Sequence, residues 1–304
     1  MLSDRFQGVI ATLQTPFNKD GSVDKQLFKD NVRWLASSGA QGVYSNGSSA
    51  ECFSISMEEY KYLTEIFVDE VEDKALKIVG CLSIDLRQTI VMARYAQECG
   101  ADAIFTAPPF FNPLNREERL FCMREVAKSC PRIGVIHYNE EILRYGMLAA
   151  EEYAELAEID NFWGSKQGNL TTEEWMKLRR LTPNMPHLAG WDSLLTPAMM
   201  LGAKGVFSVA IWVSPKFTLE LYEACLQENW NKALHMQQQW DQFMKEAYEP
   251  LQERGYSDPA IDKALANAFG FVPGGKTRPP LQSVTLQEEK EIKEKAKAAF
   301  AFLQ

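Results

Sequence analysis

Short apolar runs alternate with longer amphipathic segments along the first three quarters of this 304-residue chain. Each run is rich in β-branched or aromatic residues and is bounded by Gly, Pro, Asn or Asp, which is typical of buried strands. The segments between the runs have helical periodicity, so the pattern predicts eight consecutive βα units. The predicted strands are Gly8–Phe17, Gly42–Gly47, Leu76–Ser83, Ala103–Pro109, Ile133–Asn139, Phe162–Lys166, His187–Asp192 and Val206–Ile211.

The number of units favours a closed barrel over an open sheet. Strands that alternate with helices pair in parallel through right-handed crossovers. A (β/α)₈ barrel, the TIM barrel, leaves no exposed edge, whereas a doubly wound sheet usually has about five or six strands and two edges. A Rossmann-like sheet is the alternative, but no predicted strand is followed by G-x-G-x-x-G, so a dinucleotide site has no support.

After Val213 the pattern contains helices only. We assign the first of them to the barrel, which gives a catalytic barrel domain at residues 1–228 and a three-helix C-terminal extension at residues 229–304. The last helix is rich in Glu, Lys and Ala and is predicted to be a solvated surface helix. The predicted helices are Pro215–Glu228, Trp230–Glu253, Asp258–Phe269 and Thr285–Phe302.

The segment Gly270–Thr277 matches the phosphate-loop pattern G-x-x-x-x-G-K-[ST]. Such a loop needs a strand before it and a helix that begins at the lysine, so that backbone N–H groups converge on phosphate. Here a predicted helix precedes the segment, and Arg278-Pro279-Pro280 follows it and cannot continue as an ordinary helix. The sequence therefore disfavours nucleotide binding at this segment.

The charge balance narrows the range of partners. Lys and Arg total 32 and Asp and Glu total 41, which gives a net charge of −9 and a pI near 5.1. Because no basic cluster is present, nucleic acids and anionic membranes are disfavoured as partners. No apolar stretch approaches the roughly 18 residues of a membrane span and no signal peptide is visible, so we expect a cytoplasmic protein.

The spacing of cysteine and histidine does not indicate a metal site, and no cofactor is expected. The six cysteines include no C-x-x-C pair, and the three histidines lie far apart in the chain. We therefore expect free, buried thiols. His137, inside a predicted strand, is expected to be a packed core histidine and not a ligand.

In a barrel of this kind the reactive groups lie where the strands end. Strand two ends beside Ser48 and Ser49, two hydroxyls that could also serve as an N-cap cluster. Tyr138 and Lys166 end strands five and six, and so lie on adjacent strands at the same level. Lys166 could extend to solvent, but a buried amine has its charged form disfavoured and is more nucleophilic. Schiff-base chemistry on a ketone requires at least a nucleophilic lysine and a group that transfers protons, and a tyrosine can be that group.

Read together, these motifs resemble the dihydrodipicolinate synthase / N-acetylneuraminate lyase family. The resemblance spans nearly the whole chain and includes the first strand and the late Arg278-Pro-Pro-Leu281. The motifs are Gly-Ser-Ser-x-Glu at 47–51, Pro-Pro-Phe-Phe-Asn at 108–112, Tyr-Asn at 138–139, Gly-x-Lys at 164–166, Gly-Trp-Asp at 190–192 and Gly-Val-Phe-Ser-Val at 205–209.

The resemblance implies a class I, metal-independent aldolase or lyase, on a (β/α)₈ barrel with a helical C-terminal extension. It implies that Lys166 forms the Schiff base with pyruvate or another 2-oxo acid, and that Tyr138 transfers the proton. Ser48 would connect Tyr138 to a proton relay. The same resemblance implies a homotetramer or dimer and an aldehyde as the second reactant.

The resemblance also implies which residues bind the substrate. Ser49 and the loop N–H groups that begin at Gly47 would hold the substrate carboxylate. The backbone carbonyl of Phe207 and the loop from Gly190 to Asp192 would line the rest of the pocket.

Three departures from the family pattern bear on specificity. Phe111 stands where the family often has a second Tyr that reaches the relay across a subunit interface. Arg144 lies one residue later than the Arg that often grips a substrate carboxylate. Ala50 replaces a Gly and requires a negative φ or some strain. These differences argue against dihydrodipicolinate synthase itself and favour a relative that cleaves or dehydrates a different 2-oxo acid.

The sequence thus leaves several hypotheses. The first is a Schiff-base aldolase or lyase that makes or cleaves a C–C bond next to pyruvate or a related 2-oxo acid. The alternatives are a dehydratase of a keto-deoxy sugar acid, which uses the same lysine, and dihydrodipicolinate synthase proper. A non-enzymatic alternative, suggested by Phe111 and the displaced Arg144, is a regulatory protein that binds a 2-oxo acid in a retained barrel.

Overall fold

The computed structural model describes residues 2–168 and 170–300. Eight parallel strands pair in chain order, and the last pairs with the first, so that the sheet closes into a barrel. The prediction of a (β/α)₈ fold is therefore confirmed. The strands are β1 Gly8–Thr12, β2 Gly42–Ser45, β3 Leu76–Gly80, β4 Ala103–Thr106, β5 Gly134–Asn139, β6 Phe162–Gln167, β7 His187–Ala189 and β8 Gly205–Ser208.

One helix follows each strand around the outside, and further helices form the C-terminal extension. The barrel helices are α1 Lys25–Ala36, α2 Met57–Val71, α3 Leu86–Cys99, α4 Arg116–Ser129, α5 Ala150–Leu156, α6 Thr172–Leu181, α7 Leu195–Met200 and α8 Pro215–Leu226. The extension contains α9 Trp230–Ala247, α10 Glu249–Glu253, α11 Asp258–Phe269 and α12 Leu286–Ala299. Short 3-10 helices lie at Leu2–Arg5, Cys52–Ser54, Glu141–Gly146, Asp192–Leu194 and Ala210–Trp212.

Most strands end earlier than the apolar pattern suggests. β1 ends at Thr12 and not at Phe17, and β7 ends at Ala189 and not at Asp192. At the C-terminal rim the chain leaves the ladder to form loops, and Pro16 and Pro108 have no N–H to donate to a neighbouring strand. The apolar residues beyond the strands are buried in these loops, which form the mouth of the barrel.

The barrel interior is filled by aromatic side chains below that mouth. The ring of Phe105 lies 4.5 Å from the ring of Tyr44, 4.6 Å from that of Tyr138 and 5.1 Å from that of Phe207, centroid to centroid. Such contacts are favourable beyond the area they bury. The interior is therefore a packed core, and only the side chains at the strand ends can reach a ligand.

The long helix predicted at Trp230–Glu253 is divided in two. α9 ends at Ala247 and α10 begins at Glu249, with Pro250 in its first turn. A proline has no N–H to bond the carbonyl four residues earlier, here that of Glu246. Lys295 of α12 donates to that carbonyl instead, at 2.5 Å.

The prediction of a solvated last helix is wrong in one respect. α12 buries Ile292 and Ala296, and Phe300 beyond it packs against Phe217 and Phe243 with ring centroids 5.1 and 5.3 Å apart. The charged side chains occupy only the outer face of an amphipathic helix. The predicted end at Phe302 lies outside the described residues.

The structure also tests the expectations for His137, for the cysteines, for the segment Gly270–Thr277 and for membrane spans. His137 is fully buried, with its ring nitrogens 2.6 Å from the Tyr153 hydroxyl and 3.0 Å from the Gly146 carbonyl, as a packed core histidine. The six cysteines are free, and four of them are buried. In the segment Gly270–Thr277 no helix begins at Lys276, which instead bridges Phe17. No helix in residues 2–168 and 170–300 has the length and apolarity needed to cross a bilayer.

Candidate active site

Lys166 lies near the end of β6, directly opposite Tyr138 of β5 in the ladder. Its side chain is buried, and Nζ lies 4.5 Å from the ring centroid of Tyr138, 5.2 Å from that of Trp191 and 5.6 Å from that of Phe207. Burial lowers the pKa of Lys166, and the carboxylates nearby oppose this shift only in part. The structure therefore holds an amine that loses its proton more easily than a free lysine, which favours nucleophilic attack.

Tyr138 provides a phenol beside this amine. Its hydroxyl is 3.1 Å from Oγ of Ser48, so the two groups predicted to form a relay are in hydrogen-bond contact. Burial raises the pKa of Tyr138, and the negative charge of Glu140 adds to the effect. Tyr138 thus retains its proton and can donate it when a negative charge develops nearby.

Ser49 has a partner that the sequence did not suggest. Its hydroxyl donates to the carboxylate of Asp262 on α11, at 2.5 Å. Asp262 is buried, the Tyr248 hydroxyl also contacts it at 3.4 Å, and burial raises the pKa of Asp262 to about 7. The Ser49 hydroxyl is therefore engaged within the protein. The backbone N–H groups of Ser48 and Ser49 form no hydrogen bond to a described residue and are the remaining donors in this loop.

The loop from Gly190 to Asp192 has divided roles. The Asp192 carboxylate accepts hydrogen bonds from the Ser208 hydroxyl at 2.6 Å and from the N–H groups of Val209 and Ala210 at 2.8 and 2.9 Å. It therefore holds the loop after β8 and is not directed at a ligand, which corrects the expectation for its side chain. The adjacent Trp191 faces Lys166 instead.

Arg144 and Phe111 lie outside the set of described residues that line the cleft beside Lys166. Arg144 is exposed on the 3-10 helix Glu141–Gly146, where the neighbouring Leu143 points inward. The backbone is kinked at Leu143, and the structure does not bring the Arg144 side chain into the cleft lining. The Phe111 side chain is 70% exposed.

The loop after β2 accommodates its departure from the family pattern without strain at Ala50. Among the described non-glycine residues with positive φ are Asn46 and Glu51, both at 56°, but not Ala50. At Gly47 a Cβ atom would lie 2.2 Å from the Tyr44 hydroxyl, so glycine is needed there because the tyrosine occupies the space. The expectation of a negative φ at position 50 is met.

A cleft of about 690 Å³, within the usual size range of small-molecule sites, is lined by Tyr138 and Trp191, whose rings lie against the Lys166 amine; Lys166 itself is not among its described lining residues. The ends of β2, β5 and β7 form one side, and the residues that join α10 to α11 form the other. The lining consists of Ser48, Ser49, Phe53, Tyr138, Glu140, Glu141, Ile142, Trp191, Gln252, Tyr256, Ser257, Asp258, Pro259 and Asp262.

The fold and this lysine site can be compared with known proteins. A model of the dihydrodipicolinate synthetase family matches residues 5–299. The chain belongs to the dihydrodipicolinate synthetase family. A 4-hydroxy-tetrahydrodipicolinate synthase of Methanothrix thermoacetophila is 33% identical over 230 residues, which cover 75% of this chain and 77% of the relative.

Solved structures agree with the family assignment. A crystal structure of dihydrodipicolinate synthase superposes with a TM-score of 0.87 at 26% identity, over 97% of this chain and 99% of that one. A sialic acid aldolase of Ruminococcus gnavus, solved as a catalytic lysine mutant, shares the fold with a TM-score of 0.90 at 20% identity over 99% of both chains. Membership in the dihydrodipicolinate synthetase family confirms the predicted enzyme class, a Schiff-base-forming lyase of the aldolase type.

Two acids that line the cleft, Glu140 and Asp262, were not predicted from the sequence, whereas Trp191 lies in the loop that was expected to line the pocket. Glu140 is two residues from Tyr138 along β5, and alternate residues of a strand share a face, so this acid could have been placed in the site. Asp262 stands with Lys263 in the otherwise apolar run Pro259–Ala266, where charges signal buried partners.

The C-terminal extension fixes the loop that carries Ser48 and Ser49. Glu51 forms a buried ion pair with Lys263 of α11, with Oε1 and Nζ 2.5 Å apart. The other carboxylate oxygen of Glu51 accepts from the N–H of Arg278 at 3.0 Å, and the Arg278 guanidinium donates to the carbonyl of Gly21. The late Arg-Pro-Pro-Leu element therefore ties the first two βα loops to the extension.

Proposed function

We propose that this protein makes or cleaves a C–C bond between a 2-oxo acid and an aldehyde through a Schiff base on Lys166. The observation that supports this most strongly is the buried Lys166 amine, which lies over the ring of Tyr138, a residue that lines the open cleft. A buried amine adjoining a protonated phenol can attack a ketone and stabilise the charge that develops.

In the proposed reaction, the Lys166 amine adds to the C2 carbonyl of the 2-oxo acid, and loss of water leaves an iminium. The iminium withdraws electrons from C2, so that a proton passes from C3 to water and leaves an enamine. The enamine carbon attacks the aldehyde carbonyl, and Tyr138 donates its proton to the oxygen that becomes a hydroxyl. Tyr138 then takes a proton from Ser48, which regains one from water, and a further water hydrolyses the iminium to release the product and the Lys166 amine. Cleavage follows the same steps in reverse.

The 2-oxo acid carboxylate is proposed to bind at the N–H groups of Ser48 and Ser49. These donors lie beside Tyr138, and each remains without a hydrogen bond to a described residue. Backbone donors fixed in a loop bind an anion without reorganisation. The Gly190 loop and the Phe207 carbonyl are proposed to border the same pocket.

The test is to trap the imine. Borohydride reduction in the presence of pyruvate should attach a covalent adduct to the peptide that contains Lys166, detectable by intact and peptide mass spectrometry. Lys166→Met should abolish the adduct, whereas Lys263→Arg, a change at the other buried lysine, should preserve it. Absence of an adduct on the folded wild-type protein would show that Schiff-base catalysis is wrong.

A coupled lactate dehydrogenase assay separates cleavage from dehydration. Pyruvate release from a keto-deoxy sugar acid supports the proposed aldolase reaction, whereas loss of water without pyruvate release supports the dehydratase alternative.

We also propose that the chain works as a dimer or tetramer. Phe111 and Phe121 are exposed by 70% and 57%, and large exposed apolar side chains are the groups that an interface would cover. Another copy of the chain would cover Phe111 in the loop after β4 and Phe121 on α4.

A further inference from the structure

Glu140 is a buried acid in the site, and one of its carboxylate oxygens accepts no hydrogen bond. It follows the last residue of β5, and 3% of its surface is exposed. Within the described part of the chain, Oε2 of Glu140 has no hydrogen-bond partner. A buried carboxylate oxygen without a donor is costly, so its retention beside a reactive lysine requires an explanation.

The surrounding backbone leaves space for this carboxyl group. A Cβ atom at Gly168 would lie 2.1 Å from Oε1 of Glu140, and a Cβ atom at Gly190 would lie 3.1 Å from Oε2. These glycines follow β6 and β7, so the carboxyl group sits between two strand ends at the level of the cleft. Any side chain at position 168 would displace it.

The cleft above is acidic. Glu140, Glu141, Asp258 and Asp262 line it, and no Lys, Arg or His is found among the described lining residues. The cation on Lys166 lies beneath, and in the iminium it is neutralised by the carboxylate of the 2-oxo acid itself. A second carboxylate on the other reactant would therefore meet acids and no cation.

We propose that Glu140 contacts the aldehyde, accepts a hydrogen bond from one of its hydroxyl or ammonium groups, and disfavours aldehydes that carry a carboxylate. This inference rests on the proposed function, since it concerns the second reactant of the same reaction. Burial raises the pKa of Glu140, whereas the positive charge of Lys166, or of the iminium that replaces it, and the Trp191 side chain oppose this shift and favour the ionised carboxylate. An ionised Glu140 carboxylate accepts a strong hydrogen bond from a hydroxyl or ammonium group and repels a carboxylate. The same side chain would therefore favour the first kind of aldehyde and disfavour the second.

The experiment compares aldehydes of three kinds in condensation with pyruvate. D-Glyceraldehyde and D-erythrose carry hydroxyls, aminoacetaldehyde carries an ammonium group, and glyoxylate and succinic semialdehyde carry a carboxylate. Pyruvate consumption gives kcat/KM for each. For the wild type we expect at least a tenfold preference for the best donor-bearing aldehyde over both carboxylated ones. Comparison of the hydroxylated aldehydes with aminoacetaldehyde shows which hydrogen-bond donor is preferred.

Glu140→Gln keeps the size of the side chain but removes its charge. We expect the preference to fall at least fivefold, mainly through faster reaction of the carboxylated aldehydes. Glu173→Gln is the matched control, because Glu173 is an exposed acid at the start of α6 outside the cleft lining, and it should change the preference less than twofold. Gly168→Ala is the second variant, since φ at this position is not positive and the new methyl group displaces the Glu140 carboxyl group.

Borohydride trapping with pyruvate alone keeps this proposal distinct from the proposed function. Glu140→Gln and Gly168→Ala should still give the Lys166 adduct, which also shows that each variant is folded. The inference is overturned if the wild type prefers carboxylated aldehydes or accepts neither class while forming the adduct. It is equally overturned if both variants form the adduct with the wild-type preference.

Discussion

At the scale of single residues, the site is a set of groups whose protonation is controlled by burial. Lys166 loses affinity for its proton, whereas Tyr138 and Asp262 gain it. Burial disfavours the charged form of all three groups. The pKa of Lys166 falls because a lysine is charged when it is protonated, and the pKa values of Tyr138 and Asp262 rise because these acids are charged when they are deprotonated. Nearby carboxylates moderate the effect on Lys166. Reactivity here is therefore a property of the cavity and not of any residue alone.

Asp262 should make the stability of this protein depend on pH. Burial raises its pKa to about 7, with Asp258 adding to the shift and Lys166 and the hydrogen bonds from Ser49 and Tyr248 opposing it. Between about pH 4 and pH 7 the folded state therefore holds a proton that the unfolded state has lost, so the free energy of unfolding falls as pH rises through this window.

Asp262→Asn should remove this dependence. We expect the variant to gain stability over the wild type as the pH rises from 5 to 8, by about 2 to 4 kcal/mol at most. Urea unfolding at pH 5, 6.5 and 8 measures the difference. Asp160→Asn, at an exposed position outside the cleft lining, is the control and should give a constant offset. Parallel pH profiles for wild type and Asp262→Asn would contradict the assignment.

At the scale of secondary-structure elements, the C-terminal extension is part of the site. α11 supplies Asp262 to the cleft and Lys263 to the ion pair with Glu51. The loop after β2 therefore takes its conformation from a helix more than two hundred residues later. Glu51 adopts a left-handed φ of 56°, which is strained for a side chain with a Cβ and is maintained by these contacts.

Lys263→Met should show how much this ion pair contributes. The change leaves the Glu51 carboxylate buried without its cation, and we expect a loss of about 3 to 5 kcal/mol in the free energy of unfolding. Adding Glu51→Gln should recover part of the loss, because no charge then remains buried. Lys177→Met breaks an exposed pair with Glu151 and should cost less than about 1 kcal/mol. Equal effects of the two single changes in denaturant unfolding would show that burial of the pair is unimportant.

At the scale of the whole molecule, the net charge of −9 is distributed unevenly. Acids line the mouth of the barrel, although the substrate proposed for it is an anion. The N–H donors of the loop after β2 and Lys166 must therefore bind the 2-oxo acid despite the negative potential of the surrounding acids. The exposed side chains of Phe111 and Phe121 are the second feature of the whole molecule, because the proposed association of copies of the chain would cover them.

Phe111→Ser should weaken that association. Loss of a large exposed aromatic side chain removes apolar area from the proposed interface, and we expect at least a tenfold higher dissociation constant in sedimentation velocity. Met176→Ser, at a 60% exposed methionine on α6, is the control and should leave the assembly unchanged. A monomeric wild type, or an unchanged assembly in Phe111→Ser, would refute the proposal.

The sequence by itself determined the barrel and the pairing of Lys166 with Tyr138. Periodicity is local, and adjacent parallel strands bring their ends to the same level, so both followed from positions along the chain. Only the tertiary structure decided that Ser49 binds Asp262, that Glu140 fits between Gly168 and Gly190, and that Arg144 is exposed outside the cleft lining. These contacts depend on how separate loops and a distant helix pack against each other, and no local pattern encodes that packing.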